Sequence, residues 1–322
     1  MSRSRCAKAS QLLRGGLTLV ELVVVLAILA ILAGVAVRSL QPLADQARYE
    51  ASQKTLSGIE TAFLGVKTSS GSDVTYSGFI VDIGRLPQGI GLDAETLASE
   101  LWNNDRVAPL GAPDLPLFAI TPFDDPNTTV DESKRLTRQI LVAAGWRGPY
   151  LSLSSISVRD GYGRAMTYLD PNGNLAVDGS PIAGVVSRGS NNIIDPTDIG
   201  YARDLSMPNG LWLPARFQGT LPVRATTADG TTPPTLKAGE RIVVRVYGPD
   251  QGLPAVIGEV DLTAGGTPEF GGVLPALISG TRAVRALKVT GNSPNETIVE
   301  ESLVRQVTIH PGMNAEIVLR LP

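Results

Sequence analysis

The most pronounced hydrophobic pattern in the chain is an apolar run from Leu17 to Val37, which only Thr18 and Glu21 interrupt. The run has 21 residues, and as a helix at ~1.5 Å per residue it would extend about 31 Å, enough to cross the hydrocarbon core of a bilayer. Four basic residues and no acid precede it, namely Arg3, Arg5, Lys8 and Arg14. Because positive charges stay on the cytoplasmic side, the pattern predicts a single-pass membrane helix with a cytoplasmic amino terminus and an exported body.

A secretory signal peptide is the alternative interpretation of this pattern. The run is longer than the apolar region of a signal peptide, and no small-residue cleavage site of the A-x-A type follows it. Glu21 also places an ionisable group inside the apolar run, where a carboxylate is costly and usually has a partner or a function. The sequence therefore predicts that the run stays on the mature protein and that Glu21 has a specific role.

The helical periodicity continues beyond the membrane run. Apolar residues recur mostly three or four positions apart, with charged residues between them, as in an amphipathic helix. The members of this stripe are Leu40, Leu43, Ala47, Ala51, Leu56, Ile59, Phe63 and Val66. We predict one long stem helix over 17–66 with a kink at Pro42, because proline removes a helical hydrogen bond. Two helices that separate at Pro42 are the alternative.

The rest of the chain is typical of short strands and turns. The 34 glycines and 23 prolines favour turns over a helical bundle. A second helix is predicted over Glu132 to Ala144. Beyond Pro208, polar and apolar residues alternate as half-buried strands require, and the predicted strands are 221–226, 241–247, 255–262, 281–290, 302–309 and 315–321. Strands at this spacing predict a β-sandwich.

The predicted fold class is α+β, with a long N-terminal transmembrane helix packed on a small antiparallel sheet and followed by an all-β sandwich domain. The predicted domain organisation is a leader at 1–16, a stem at 17–66, a globular head at 67–208 and an appended module at 209–322. At the level of fold, this last module resembles the small prealbumin-like or Ig-like modules of exported proteins.

The residues Gly16-Leu17-Thr18-Leu19-Val20-Glu21, followed by LVVVLAILAILAGVAV, resemble the type IV prepilin signature that type IV pilins and type II secretion pseudopilins share. The resemblance implies that a prepilin peptidase cuts between Gly16 and Leu17 and methylates the new amino terminus of Leu17. It also implies that Glu21 pairs with the Leu17 amine of a neighbouring subunit during filament assembly, which would compensate the buried charge. The chain departs from the family in having Leu17 where phenylalanine is frequent, and in having a longer leader than the shortest pilin leaders.

Three segments of the predicted head also resemble the major pseudopilin of type II secretion, and they are Gly145–Leu151, Asp160–Tyr168 and Val185–Asn191. The residues alone predict only a small antiparallel sheet with tight turns. The resemblance implies a periplasmic filament that pushes folded substrates through an outer-membrane channel. Its implied partners are the prepilin peptidase, other pseudopilin or pilin subunits in a helical filament, and an inner-membrane assembly platform.

Charge and cysteine content exclude several other classes of function. The chain has 28 basic and 31 acidic residues and a formal net charge of −3, so nothing favours nucleic acid as a partner. Cleavage after Gly16 would lower the formal charge to about −7, because the leader holds four basic residues and no acid. The chain has one cysteine, Cys6, and one histidine, His310, which excludes Cys/His zinc clusters and a disulfide framework within the chain.

Two loops contain the oxygen ligands that calcium prefers. Major pseudopilins carry a calcium site after their S-x-G strand, and the resemblance places possible ligands here at Ser190, Asn191, Asp195 and Asp198. The loop Asp170–Asp178 also has oxygens at alternate positions, but its Asn-Gly pair favours a β-hairpin turn. The sequence has no G-x-S-x-G elbow, P-loop or dinucleotide fingerprint. We therefore predict no catalytic residues and, apart from a possible Ca²⁺, no cofactor.

Together these features predict a structural, non-enzymatic subunit of a type II secretion pseudopilus in the bacterial inner membrane. A type IV pilus minor subunit is the alternative within the same family. A second alternative, from a different class, is a membrane-anchored exported binding module whose β-sandwich holds a sugar, a peptide or a surface partner.

Overall fold

The computed structural model describes residues 18–65, 68–70, 73–75, 77–89, 99–101, 117–123, 128–129, 140–151, 158–195, 197–207, 216–263, 270–292 and 296–322. The chain divides into two compact units between Ala47 and Arg48. A long amino-terminal helix is followed by mainly antiparallel sheets. The predicted α+β class is therefore confirmed.

Helix α1 extends from Leu19 to Leu64 and continues through Pro42. The prediction of one continuous stem is confirmed over these residues, and the alternative of two helices that separate at Pro42 is wrong. A proline inside a helix removes one backbone hydrogen bond, and the hydrogen bonds of the neighbouring turns keep α1 helical. Val66, the last member of the predicted apolar stripe, lies outside the described residues.

The carboxyl-terminal part of α1 packs into the first hydrophobic core. Leu56, Ile59 and Phe63 are all buried in this core, as the helical spacing predicts. Other members come from later parts of the chain, and they include Phe79, Ile80, Ile83, Met166, Tyr168, Ile182, Val185 and Met207. This core therefore fixes the end of the stem against the predicted head.

Ala51 is a member of the predicted stripe, but the structure exposes it and buries the neighbouring Ser52 instead. The Ser52 hydroxyl donates to the Arg48 carbonyl oxygen at 3.0 Å and accepts from the backbone N–H of Gly161 at 2.9 Å. A Cβ added to Gly161 would lie 1.9 Å from the Arg48 carbonyl oxygen. Only glycine permits this close approach to the helix, so the buried face of α1 shifts by one residue here.

The helix and strands that the structure describes between α1 and residue 208 are short. They are β1 (Thr68–Ser70), β2 (Asp73–Thr75), α2 (Phe79–Ile83), β3 (Ala119–Phe123), β4 (Thr128–Thr129), β5 (Ile140–Ala144), β6 (Thr167–Leu169), β7 (Gly184–Ser187) and β8 (Leu205–Met207). Strands β6, β7 and β8 form an antiparallel sheet in that order. Side chains from all three strands enter the first core, so α1 packs on a small antiparallel sheet as predicted.

Strand β5 corrects the predicted helix over 132–144. Ile140, Val142 and Ala144 are buried, whereas Leu141 between them is exposed. This alternation has the two-residue period of a strand, and β5 pairs in antiparallel register with β3. A short apolar run in a sequence is compatible with the period of a helix and with that of a strand. Pairing with the distant strand β3 therefore decides that residues 140–144 form a strand. Residues 132–139 lie outside the described residues.

The described residues beyond 208 form nine strands, and two sheets made from these strands face each other across a second core. The strands are β9 (Gln218–Thr226), β10 (Glu240–Asp250), β11 (Leu253–Asp261), β12 (Gly271–Ile278), β13 (Gly280–Thr290), β14 (Glu296–Glu301), β15 (Arg305–Ile309), β16 (Gly312–Met313) and β17 (Ile317–Arg320). In one sheet the order is β11-β10-β13, and both β14 and β15 pair with β13. In the other, β12, β16 and β17 pair with β9. Leu221, Val244 and Leu319 are buried between the sheets.

All six strands predicted beyond Pro208 occur, with shifted ends, and the sequence pattern misses β12, β14 and the short β16. Strand β12 begins at Gly271-Gly272 and contains Pro275, which in sequence indicates a turn. Its register against β9 shifts between Leu274 and Leu277, and Ala276 has a positive φ of 58°. A β-bulge at this point explains why alternation does not reveal the strand.

Both faces of the β10–β13 sheet are buried, which corrects the prediction of half-buried strands. Arg245 and Glu296 are 0% exposed and form an ion pair. The Nε atom of Arg245 also lies 2.7 Å from a carboxylate oxygen of Glu259. Arg285, directly opposite Arg245 in the register, pairs with Glu301 at 3.2 Å. These ion pairs compensate the charges that burial would otherwise make costly.

Elements that precede residue 208 contribute directly to this part of the fold. Strand β4 pairs in parallel with β14. Strand β5 packs on the outer face of the β10–β13 sheet, where Ile140 and Val142 form a buried cluster with Tyr247 and Ala283. A domain boundary at residue 208 stays a prediction, and any separation there would have to break these contacts.

A buried polar cluster joins α2 to the loop after β5 and to β13. The Asp82 carboxylate, only 3% exposed, accepts a hydrogen bond from the Tyr150 hydroxyl and lies 3.2 Å from Nε of Arg147. Arg282 is buried nearby and donates to the Val81 carbonyl oxygen at 3.1 Å. Burial raises the pKa of Asp82 to about 6, against the opposing attraction of Arg147. It also lowers the pKa of Arg282 to about 10.

The pKa of Asp82 predicts a fall in stability between pH 4 and pH 7. The folded carboxyl titrates near pH 6, against an ordinary value of 3.8, so the folded state binds this proton more tightly than the unfolded state does. Its contribution is present below about pH 4 and is lost as the pH rises through about 6, a change of about 3 kcal/mol in the free energy of unfolding. Urea unfolding of the full chain in detergent, repeated at several pH values, measures this change in the free energy of unfolding.

The Asp82→Asn variant should lose most of this pH dependence, because the amide does not titrate. Asp250→Asn, which changes an exposed carboxylate at the end of β10, is the matched control and should follow the wild-type curve. A curve for Asp82→Asn that stays parallel to wild type from pH 4 to 7 would exclude Asp82 as the source.

Candidate functional site

The amino terminus of α1 is organised around Glu21. One oxygen of its carboxylate, Oε2, accepts hydrogen bonds from the backbone N–H of Thr18 at 2.8 Å and from the Thr18 hydroxyl at 3.0 Å. The Thr18 hydroxyl accepts in return from the backbone N–H of Glu21 at 3.2 Å. This reciprocal pattern is a capping box, and it starts the helix at Leu19.

The capping box places the start of α1 just after the predicted processing position. Gly16 and Leu17 lie outside the described residues, so their predicted roles in cleavage and methylation stay predictions. Thr18 is the residue that the apolar pattern overlooks, because it counts only as an interruption of the run. The T-x-x-E spacing in front of an apolar run could have identified it from sequence.

The Glu21 side chain is exposed and accessible to another subunit. Its carboxylate is held by Thr18 of its own chain, which fixes the position of the charge at the start of the helix. An anionic side chain in the first turn also interacts favourably with the positive end of the helix dipole. Pairing with the amine of Leu17 in a neighbouring subunit stays a prediction.

A continuous apolar surface follows Glu21 along the helix. Every side chain from Leu22 to Leu32 is exposed, and Ile31 and Leu32 are exposed to 68% and 59%. Soluble monomers rarely expose contiguous apolar surface of this kind, and it usually marks an interface with protein or membrane. Among the helices that the structure describes, none combines the length and hydropathy that a membrane crossing requires.

The same segment is the part of the chain that is similar to known proteins. Residues 13–37 match the family model of the prokaryotic N-terminal methylation motif. No curated protein and no solved structure matches the chain significantly. The match supports a type IV pilin-like precursor, and the motif implies processing by a prepilin peptidase and assembly with other pilin subunits. The matched segment ends at Val37, and the residues of α1 that pack into the first core lie beyond it.

The four predicted calcium ligands lie in one loop, and their polar groups mainly bond within it. The Asn191 amide donates to the Asp198 carboxylate at 2.5 Å. Asp195 accepts from the backbone N–H of Thr197 at 2.8 Å, and the backbone N–H of Ser190 donates to a carbonyl outside the loop. Within the described ranges, no three acidic, histidine or cysteine side chains are placed to hold a metal ion. Calcium binding here stays a prediction.

Asp204 is a member of this loop region that sequence spacing does not reveal. Its Oδ2 accepts from the backbone N–H of Asp195 at 2.9 Å, whereas its buried Oδ1 has no hydrogen-bond partner in the described part of the chain. Burial and the nearby carboxylates of Asp198 and Asp195 raise the pKa of Asp204. The loop brings these three carboxylates together only by folding back before β8.

If the loop binds calcium as the sequence predicts, millimolar calcium should raise the thermal unfolding midpoint by about 3 °C, because ligand that binds only the folded state stabilises it. Calcium would have to break the Asn191–Asp198 hydrogen bond and draw the carboxylates of Asp195, Asp198 and Asp204 together, since the described residues do not place them as a ligand set. The Asp198→Asn variant should lose the shift, whereas the exposed Asp250→Asn variant should keep it. An unchanged midpoint in calcium, or an equal shift in Asp198→Asn, would show that the loop does not bind the ion.

The second candidate calcium loop is a turn, as its Asn-Gly pair indicates. The Asp170 carboxylate accepts from the backbone N–H groups of Asn172 and Asn174 at 2.8 and 2.9 Å. Gly173 has a φ of 83°, and Leu169 bridges to Leu175 across the turn. The Asp170 carboxylate therefore stabilises the turn by accepting hydrogen bonds from its backbone.

Proposed function

We propose that this chain is a structural subunit of a type II secretion pseudopilus. A prepilin peptidase processes it between Gly16 and Leu17, methylates Leu17, and releases a subunit that assembles through its amino-terminal helix. The observation that carries this proposal is the methylation motif at residues 13–37, whose Thr18–Glu21 capping box begins an exposed apolar helix.

Before assembly, the run from Leu17 to Val37 anchors the subunit in the bacterial inner membrane as a single-pass helix. The basic leader supports an amino terminus in the cytoplasm and a body in the periplasm or outside the cell. The exposed apolar side chains of the run support contact with lipid first and with other helices later.

In the filament, the apolar surface of α1 packs against the helices of neighbouring subunits. Glu21 pairs with the methylated amine of Leu17 in a neighbour, because an apolar filament core favours only charges that are paired. The partners are the peptidase, other pseudopilin or pilin subunits and an inner-membrane assembly platform. Nucleic acid is not a partner, since the chain is acidic overall.

The head supports the pseudopilin assignment through the turn at Asp160. One carboxylate oxygen of Asp160 accepts from the backbone N–H groups of Tyr162 and Arg164, and the other accepts from the Ser187 hydroxyl on β7. This turn rests on α1 through Gly161. The aspartate therefore acts in packing the head onto the stem, which fits a structural and non-enzymatic role.

A complementation assay tests the proposal. In a strain that lacks this chain, export of folded substrates should fail, and the wild-type chain should restore it. Normal export with lost surface pili would favour a type IV pilus minor subunit. Normal export and normal pili, with loss of a surface ligand when 209–322 is deleted, would favour the anchored binding module.

A further inference from the structure

A groove lies between the edges of the two facing sheets, where β15 and β17 run. It encloses a cavity of about 440 Å³, which is lined by Leu303, Val304, Arg305, Val318 and Arg320. The volume is within the range of ligand pockets. Among the strands that the structure describes, β15 pairs only with β13, and β17 pairs only with β9.

The open edge of β17 presents backbone groups to this groove. The Val318 carbonyl oxygen accepts a hydrogen bond from Nη1 of Arg305 at 3.0 Å, so it points away from β9. The backbone N–H of Leu321 instead donates toward β9, to the Thr226 carbonyl at 2.8 Å. Because backbone groups alternate along a strand, those of Arg320 face the same side as those of Val318.

The groove combines two cationic side chains with an apolar wall. In the described part of the chain, neither Arg305 nor Arg320 has a carboxylate within salt-bridge distance, whereas Arg224 on the neighbouring strand pairs with Glu316 at 2.7 Å. Leu303 is exposed to 87%. An exposed leucine beside two such arginines favours a ligand that is both apolar and anionic.

We propose that this groove binds an extended peptide segment of a partner protein, with acidic and apolar side chains in alternation. The segment adds a strand to the open edge of β17, and its backbone bonds to the groups of Val318 and Arg320. Its carboxylates pair with Arg305 and Arg320, and its apolar side chains contact Leu303. Arg305 has donors to spare beyond the one that Val318 uses.

A simple anion would use only part of this site. It would contact the guanidinium groups, but it would leave Leu303 exposed and the edge of β17 without a neighbouring strand. A strand satisfies all three features at once, which is why the geometry favours a peptide. This proposal does not depend on the pseudopilus role, because the groove lies in the part of the chain that follows residue 208.

Fluorescence polarisation on the full chain in detergent tests the site with three labelled pentapeptides. The acidic probe is Val-Glu-Val-Glu-Val, and the matched probes carry glutamine or lysine in place of glutamate. We expect the acidic probe to bind, the glutamine probe to bind about tenfold more weakly, and the lysine probe not to bind. Arg320→Gln and Leu303→Ser should each weaken the acidic probe about tenfold.

Arg224→Gln is the control, because it removes a half-buried arginine of β9 that does not line the groove, and it should leave the affinity unchanged. Circular dichroism spectra of all variants should match wild type. Failure of the acidic probe to bind, or unchanged affinity in Arg320→Gln and Leu303→Ser, would overturn the proposal. Displacement of the probe by inorganic phosphate alone, with Leu303→Ser unaffected, would reduce the groove to an anion site and would also overturn it.

Discussion

The Glu21→Ala variant is expected to be cleaved and anchored normally but to be excluded from filaments. Without the carboxylate, the Leu17 amine of the neighbouring subunit enters an apolar filament core unpaired. Breaking a buried ion pair in this way costs about 3–5 kcal/mol, which corresponds to a more than about hundredfold loss of incorporation. Sedimentation of sheared filaments, with the membrane fraction measured in parallel, gives the incorporated share.

Two further variants separate the charge of Glu21 from its role in starting the helix. Glu21→Gln keeps an oxygen that can accept from Thr18 but removes the charge, and it should fail to assemble as Glu21→Ala does. Thr18→Ala removes the capping hydroxyl and should weaken the helix start by about 1 kcal/mol while assembly continues. Normal assembly of Glu21→Gln would show that the carboxylate acts as a cap and not as an intersubunit partner.

Replacement of Arg282 should cause a large loss of stability. The guanidinium is buried, and its donors reach backbone carbonyl oxygens on two separate segments: Val81, Ile278, Ser279 and Thr281. Arg282→Met would remove all these donors, and it would take away the hydrogen bonds that Arg282 makes in the buried interior to the Val81 and Ser279 carbonyl oxygens. Since each buried unsatisfied group costs about 1–3 kcal/mol, we expect a loss of about 3–5 kcal/mol in the free energy of unfolding.

Urea unfolding measures this loss, with Arg224→Met as the control for removing a half-buried, ion-paired arginine. The free energy of unfolding of the control should stay within about 1 kcal/mol of the wild-type value. Arg282→Lys should fall between the two, because one ammonium cannot reach all the carbonyls that the guanidinium spans. A loss below about 1 kcal/mol in Arg282→Met would mean that water or rearranged backbone satisfies the carbonyls instead.

The parts of the fold that depend on local patterns could be predicted from sequence. The apolar run and its single carboxylate indicate the assembly helix, and alternation gives six of the strands beyond Pro208. The capping box was also readable, since Thr18 and Glu21 have the required spacing. Each of these features depends only on residues that are close together in the sequence.

Other features depend on pairings between distant segments, which periodicity does not contain. Arg245 and Arg285 alternate with apolar residues as exposed side chains would, but both are buried beside ion partners. Ile140 belongs to a strand because β3 pairs with it and Tyr247 packs against it. Asp204 joins the candidate calcium loop only after the chain folds back.

Processing as a prepilin is tested by the intact mass of the membrane-extracted chain, expressed with and without its cognate prepilin peptidase. With the peptidase, we expect a loss equal to residues 1–16 and a gain of one methyl group on Leu17. Without it, the mass should be that of the full chain. An uncut chain in the presence of the peptidase, or cleavage after Val37, would show that the chain is not a prepilin.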